Sequence, residues 1–67
     1  TRNRERSILE IVRRIFHETG DIVDLSDVLT EAGRMDINRD TAEDIIEALC
    51  RDGRLMRPGG YDTLQPV

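Results

Sequence analysis

Four carboxylates, Asp40, Glu43, Asp44 and Glu47, fall at three- and four-residue intervals in the stretch RDTAEDIIEALCRDGRL, residues 39–55. Groups of this type bind a divalent cation or exchange protons with a substrate only where several of them converge. At about 100° per residue the four acids share one side of a helix with Arg51, and Ala42, Ile45, Ile46 and Leu49 share the opposite side. The acids therefore belong to a solvated outer face of net charge −3, where carboxylates stay ordinary. His17 and Cys50 are each alone in their type. Neither a Cys/His zinc set nor a supported Cys-His nucleophile pair can be assembled from them. His17 reads as a surface residue near the end of a helix, and Cys50 as a half-buried small hydrophobe. Gly59-Gly60 lacks the spacing of a phosphate-binding loop. No catalytic, metal or cofactor-binding residue is expected in these 67 residues.

The remaining chemistry is that of charge. The chain has ten arginines, no lysine and fourteen acids, for a net charge of −4. Residues 1–20 hold five arginines (Arg2, Arg4, Arg6, Arg13, Arg14) against three glutamates, a net of +2, which leaves −6 on the rest. A domain whose main task was gripping phosphates would lean the other way. Weak, non-specific contact with nucleic acid is the most this balance suggests. It would fall to the five arginines near the start and to Arg54 and Arg57.

These residues must be positioned by short elements. In SILEIVRRIFHETG the apolar residues Ile8, Ile11, Val12 and Ile15 recur at helical spacing, widened by Leu9 and Phe16, and Gly20 marks a stop. Ile22 and Val23 are placed to add one rung to a sheet. Ser26 reads as the N-cap of a second helix that ends at Gly33, and Asn38 as the N-cap of a third that ends at Gly53. The two runs flanking Gly59-Gly60 predict a hairpin with a two-residue turn. Pro58 then opposes Tyr61, Arg57 opposes Asp62, Met56 opposes Thr63 and Leu55 opposes Leu64. Leu55 and Leu64 point to the core, while Met56, Pro58 and Tyr61 form an outer patch suited to a protein partner. The third helix is expected to pack on Val28, Leu29 and the Ile8/Val12/Ile15 stripe.

The order helix, short strand, helix, helix, hairpin predicts an α+β winged helix-turn-helix: three helices, a small antiparallel sheet and a C-terminal β-hairpin wing. In such folds the third helix commonly enters a DNA groove. Here each carboxylate brought against a phosphate costs on the order of 1 kcal/mol even in water. Protein contact is the better expectation for this face. At this length the chain makes one small domain over residues 1–67, burying roughly 60% of its unfolded surface. Residues 1–6 read as a linker or the start of the first helix. With one cysteine there is no internal disulfide, and no apolar run suits a leader or membrane helix. The expectation is a fragment of a longer intracellular protein.

The run DIVDLSDVLTEAGRMDINRDTAEDIIEALCRDGRLMRPGGYDTL resembles the C-terminal winged helix of archaeal-type minichromosome maintenance (MCM) replicative helicases. VDLSDVL corresponds to the entry of the second helix, DINRDTAEDIIEAL to the third, and RDGRLMRPGGY to the wing; the second glycine of PGGY and the lack of lysine depart from the pattern. The resemblance implies a parent that is a hexameric AAA+ motor unwinding DNA with ATP and Mg²⁺, neither bound by this part. It also implies an appended regulator that modulates ATPase and unwinding and helps the motor meet an origin-recognition or initiator protein. Two other readings stand beside it: a DNA-binding transcription regulator, which needs a basic reading surface, and a winged-helix scaffold in another intracellular assembly.

Overall fold

The computed structural model describes residues 2–67, with the side chain of Arg2 outside the described set, so that candidate phosphate contact has no placement here. Helix α1 spans Arg2–Thr19, strand β1 Val23–Asp24, α2 Leu25–Arg34, α3 Arg39–Arg51, β2 Leu55–Met56 and β3 Thr63–Pro66. Residues 2–6 are thus the first turns of α1 and do not form a separate tether. The strands make one antiparallel sheet in the order β1-β3-β2. Three helices with such a sheet form an α+β arrangement compatible with a winged-helix-like fold. Among the described residues no helix is long and apolar enough to cross a membrane.

Three helix ends follow their local sequence closely. Gly20 adopts φ +69° after α1, and its N–H donates to the Phe16 carbonyl at 2.7 Å. Asn38 caps α3: its side-chain oxygen accepts the Thr41 N–H at 2.8 Å, meeting one of the four donors a helix start leaves free. At the other end Gly53, φ +79°, closes a Schellman motif in which the Gly53 and Arg54 amides donate to the Cys50 and Leu49 carbonyls.

Helix α2 departs from expectation at both ends. It starts at Leu25, directly off β1, so Asp24 and not Ser26 occupies the cap position, and no side chain caps it. The Leu25 N–H instead donates to the Asp62 carbonyl at 2.8 Å, so a long-range backbone partner meets the need. The helix also runs through Gly33 to Arg34. Asp36 takes the left-handed turn at φ +61°, with the Asp36 and Ile37 amides bonded to the Gly33 and Ala32 carbonyls. Extending the helix lets Ile37 fold back into the core, where it is 5% exposed. That burial offsets the cost of a non-glycine residue in the left-handed region.

The β2–β3 connection is wider than a two-residue hairpin. Leu55 pairs with Pro66 and Met56 with Gln65, two residues along β3 from the expected register. A shift of two conserves side-chain facing, so Leu55 and Leu64 are still both buried. The rung at the other edge is Val23–Asp24, with Val23 paired to Leu64, while Ile22 stays outside the strand and exposed. The core is one cluster joining Ile8, Val12, Val28, Ile46 and Leu64, with Ile15, Phe16, Leu29 and Cys50 packed at its edge. Leu25, Ala32 and Ile37 belong to it as well.

Candidate interaction surfaces

Helix α3 buries Ala42, Ile45, Ile46 and Leu49 and turns Asp40, Asp44, Glu47 and Arg51 outward, with Glu43 half-buried at the edge. The capped start fixes this rotation, because the Asn38 bond sets where the first turn begins. Not all four acids are equally free. Glu43 accepts from Arg39 at 3.3 Å and Glu47 from Arg51 at 3.4 Å, both one helical turn apart. Arg39, which the sequence reading left out of the face, lowers its local charge to −2. Among the described residues Asp40 and Asp44 enter no ion pair, and they are the carboxylates left available for an outside cation. Exposed i,i+4 pairs of this kind contribute only about 0.3–0.5 kcal/mol each, so a partner can exchange them at small cost.

The expected outer patch of Met56, Pro58 and Tyr61 does not lie on one sheet face. Met56 is in β2, whereas Pro58 and Tyr61 belong to the loop. All three are exposed, Tyr61 to 62%. The loop is two consecutive turns, Gly60 N–H to the Arg57 carbonyl and Thr63 N–H to the Gly60 carbonyl. The Thr63 hydroxyl ties them together, accepting the Gly59 N–H at 2.9 Å and donating to the Gly60 carbonyl at 3.0 Å. In the observed register Arg57 and Asp62 are not the cross-strand pair that a tight hairpin would impose. The Arg57 guanidinium lies 4.3 Å from the centroid of the Tyr61 ring instead. Stacking of this type contributes about 0.5–1 kcal/mol at an exposed site and holds the guanidinium in one plane. Arg57 Nε is buried without a hydrogen-bond partner. Arg57 and Tyr61, expected on different faces of the hairpin, are therefore neighbours on one surface.

The basic residues divide between two faces of α1. Arg14 is engaged: it bonds Glu31 of α2 at 3.0 Å and lies 3.6 Å from Glu18, while Arg34 completes the network through Glu31 at 3.5 Å. Arg6 and Arg13 lie on another side, where with Glu5, Leu9 and Glu10 they line a groove closed by Arg54. The groove measures about 540 Å³. No ion pair reaches Arg6, Arg13 or Arg54 among the described residues. All three are candidate phosphate contacts by type, but no spacing in the chain joins them, because the turn after α3 brings Arg54 beside α1 only through tertiary packing. Arg4 is exposed on the same helix.

His17 is exposed at the end of α1, and Cys50 is half-buried on α3. Among the described residues no three His, Cys, Asp or Glu side chains come together as a metal site. The surfaces the molecule offers are thus an acidic helix face, a loop carrying a stacked Arg-Tyr pair and a groove with three free arginines. No protein-family model matches the sequence, and no curated protein matches it either.

Proposed function

We propose that the chain is a winged helix-turn-helix domain that works through protein contacts, as an appended regulator of an MCM-type, ATP-driven replicative helicase. The observation that carries the protein-contact part is the outer face of α3. Where a DNA-reading helix would present donors and cations, this one presents Asp40, Glu43, Asp44 and Glu47, and its two neighbouring arginines are already engaged with Glu43 and Glu47. Forcing it toward a phosphate backbone sets four carboxylates against phosphate, with only Arg39 and Arg51, drawn from their present pairs, to set against them. The helicase part rests on the likeness of the DINRDTAEDIIEAL and RDGRLMRPGGY stretches to that family.

In this reading the domain supplies no chemistry to the motor. The parent's own ATP site would hold the triphosphate and Mg²⁺, and the domain biases the cycle by resting against the motor or against an initiator protein. Asp40, Asp44, Met56, Pro58 and Tyr61 are the contact residues. The test compares ATPase and unwinding rates of the full-length parent, a parent lacking residues 1–67 and an Asp40→Arg/Asp44→Arg parent, at matched hexamer concentration. Truncation is expected to leave an assembled, active motor with altered rates, and the double variant to reproduce part of that change. Unchanged rates in both would remove the regulator reading. A parallel titration of a labelled duplex with the 67-residue chain is expected to give a Kd weaker than about 10⁻⁶ M at physiological salt. Submicromolar, sequence-dependent binding would favour a DNA-binding regulator.

A further inference from the structure

We infer that the groove between α1 and Arg54 receives the acidic face of α3 from a second copy of this chain, giving a head-to-tail contact between domains. The inference rests on the protein-contact reading of α3 given above, but not on the identity of the motor.

The groove offers three guanidinium groups with no partner among the described residues, Arg6 and Arg13 from one helix and Arg54 from the turn after α3. Arg6 and Arg13 are seven residues apart on the same side of α1, about 10.5 Å along its axis. On α3 the outer acids Asp40 and Glu47 are also seven residues apart, with Asp44 between them. Two helices laid side by side can therefore set two arginines against two carboxylates in register, and Arg54 is left for Asp44. Among the described residues this match is not made within one molecule, and the one ion pair from α1 to another element runs from Arg14 to Glu31 of α2.

A polyphosphate is the weaker occupant. Glu5 and Glu10 line the same groove and would face its charge, and the chain as a whole is negative. An α3 helix brings Arg51 with its acids, a cation able to answer those glutamates. Because the two surfaces differ, the contact is heterologous: each copy uses its groove for one neighbour and its α3 for the next, which generates a ring if the rotation closes. Such charge-based contacts are weak in isolation and gain from tethering in a larger assembly.

Sedimentation of the 67-residue chain over increasing concentration, at about 20 mM and about 500 mM salt, tests this. Association is expected at low salt and is lost at high salt. Arg6→Glu/Arg13→Glu and Asp40→Arg/Glu47→Arg should each weaken it tenfold or more. An equimolar mixture of the two variants should restore it, since each then carries what the other's surface needs. Their net charges are −8 and 0, so the recovery cannot come from overall attraction. Arg4→Glu/Arg34→Glu, also −8, should stay within about twofold of the unaltered chain. Circular dichroism checks folding, and Asp44→Arg replaces the α3 variant if reversal at the first turn unfolds it. Four results would overturn the inference: a chain that stays monomeric at low salt, equal loss in the Arg4/Arg34 control, a mixture that does not recover, or a groove that takes duplex DNA in preference.

Discussion

Replacing Thr63 by Val removes one oxygen from the base of the wing loop and barely changes side-chain volume. That oxygen accepts from the Gly59 amide and donates to the Gly60 carbonyl. A hydrogen bond contributes a net of about 0.5–1.5 kcal/mol, and the full desolvation penalty applies only when the abandoned group stays buried. Gly59 and Gly60 are exposed, so water takes over and the lower half of the range applies. Two bonds then amount to about 1–2 kcal/mol, less a few tenths returned by the strand preference of Val. A domain of 67 residues is worth about 3–10 kcal/mol in total, so the loss should lower its melting temperature by roughly 5–15 °C. Thr63→Ser keeps the oxygen and should lose less than half as much. Urea melts followed by far-UV circular dichroism give the stabilities, and amide hydrogen exchange at Gly59 should quicken in the Val variant alone. If the Val variant melts like the unaltered chain and Gly59 exchanges at the same rate, the hydroxyl does not hold the loop.

Leu49, 2% exposed, should cost about 2–5 kcal/mol as Leu49→Ala, against no more than about 0.5 kcal/mol for Glu47→Ala; equal urea midpoints would contradict the helix rotation that exposes the acids. Gly53→Ala meets open space, so its cost of about 1–2 kcal/mol should be purely conformational and visible in the same melts. Asp36→Gly relieves the left-handed residue after α2 and should gain up to about 1 kcal/mol, read as a rise in melting temperature. Asn38→Ala should lose about 0.5–2 kcal/mol and speed exchange of the Thr41 amide, the donor it leaves free.

The parts of this fold that were legible in the sequence are those governed within a few residues. The apolar spacing of α1 and α3, the left-handed glycines Gly20 and Gly53 and the Asn38 cap all act locally, and each behaves as its sequence suggests. The misread points are decided at long range. Ser26 and Asp24 are equally suited to a cap by type, and the start at Leu25 is set by the β1 rung and by the Asp62 carbonyl, 37 residues downstream, which takes the Leu25 amide. Gly59-Gly60 is a strong turn signal, but pairing of β3 with β1 at Val23 and the Thr63 hydroxyl set the loop's width. The same division runs through the candidate surfaces. The outward acids of α3 follow from periodicity. The Arg57-Tyr61 stack and the union of Arg54 with Arg6 and Arg13 depend on how distant segments pack, and no spacing in the chain announces them.

The position of β3 has a consequence for how the chain acquires its shape during synthesis. Both outer strands, β1 and β2, are made before the strand that joins them. While residues 21–62 emerge, α1, α2 and α3 can form locally and begin to pack, but Val23 and Leu55 have no strand to pair with. The arrival of Thr63–Pro66 then settles both edges at once: Leu64 enters the core, and the Asp62 carbonyl at last reaches the Leu25 amide at the start of α2. Strand β3 thus acts as a latch, and chains stalled or cleaved before it should remain a loose helical intermediate, open to proteases until that strand has emerged from the ribosome.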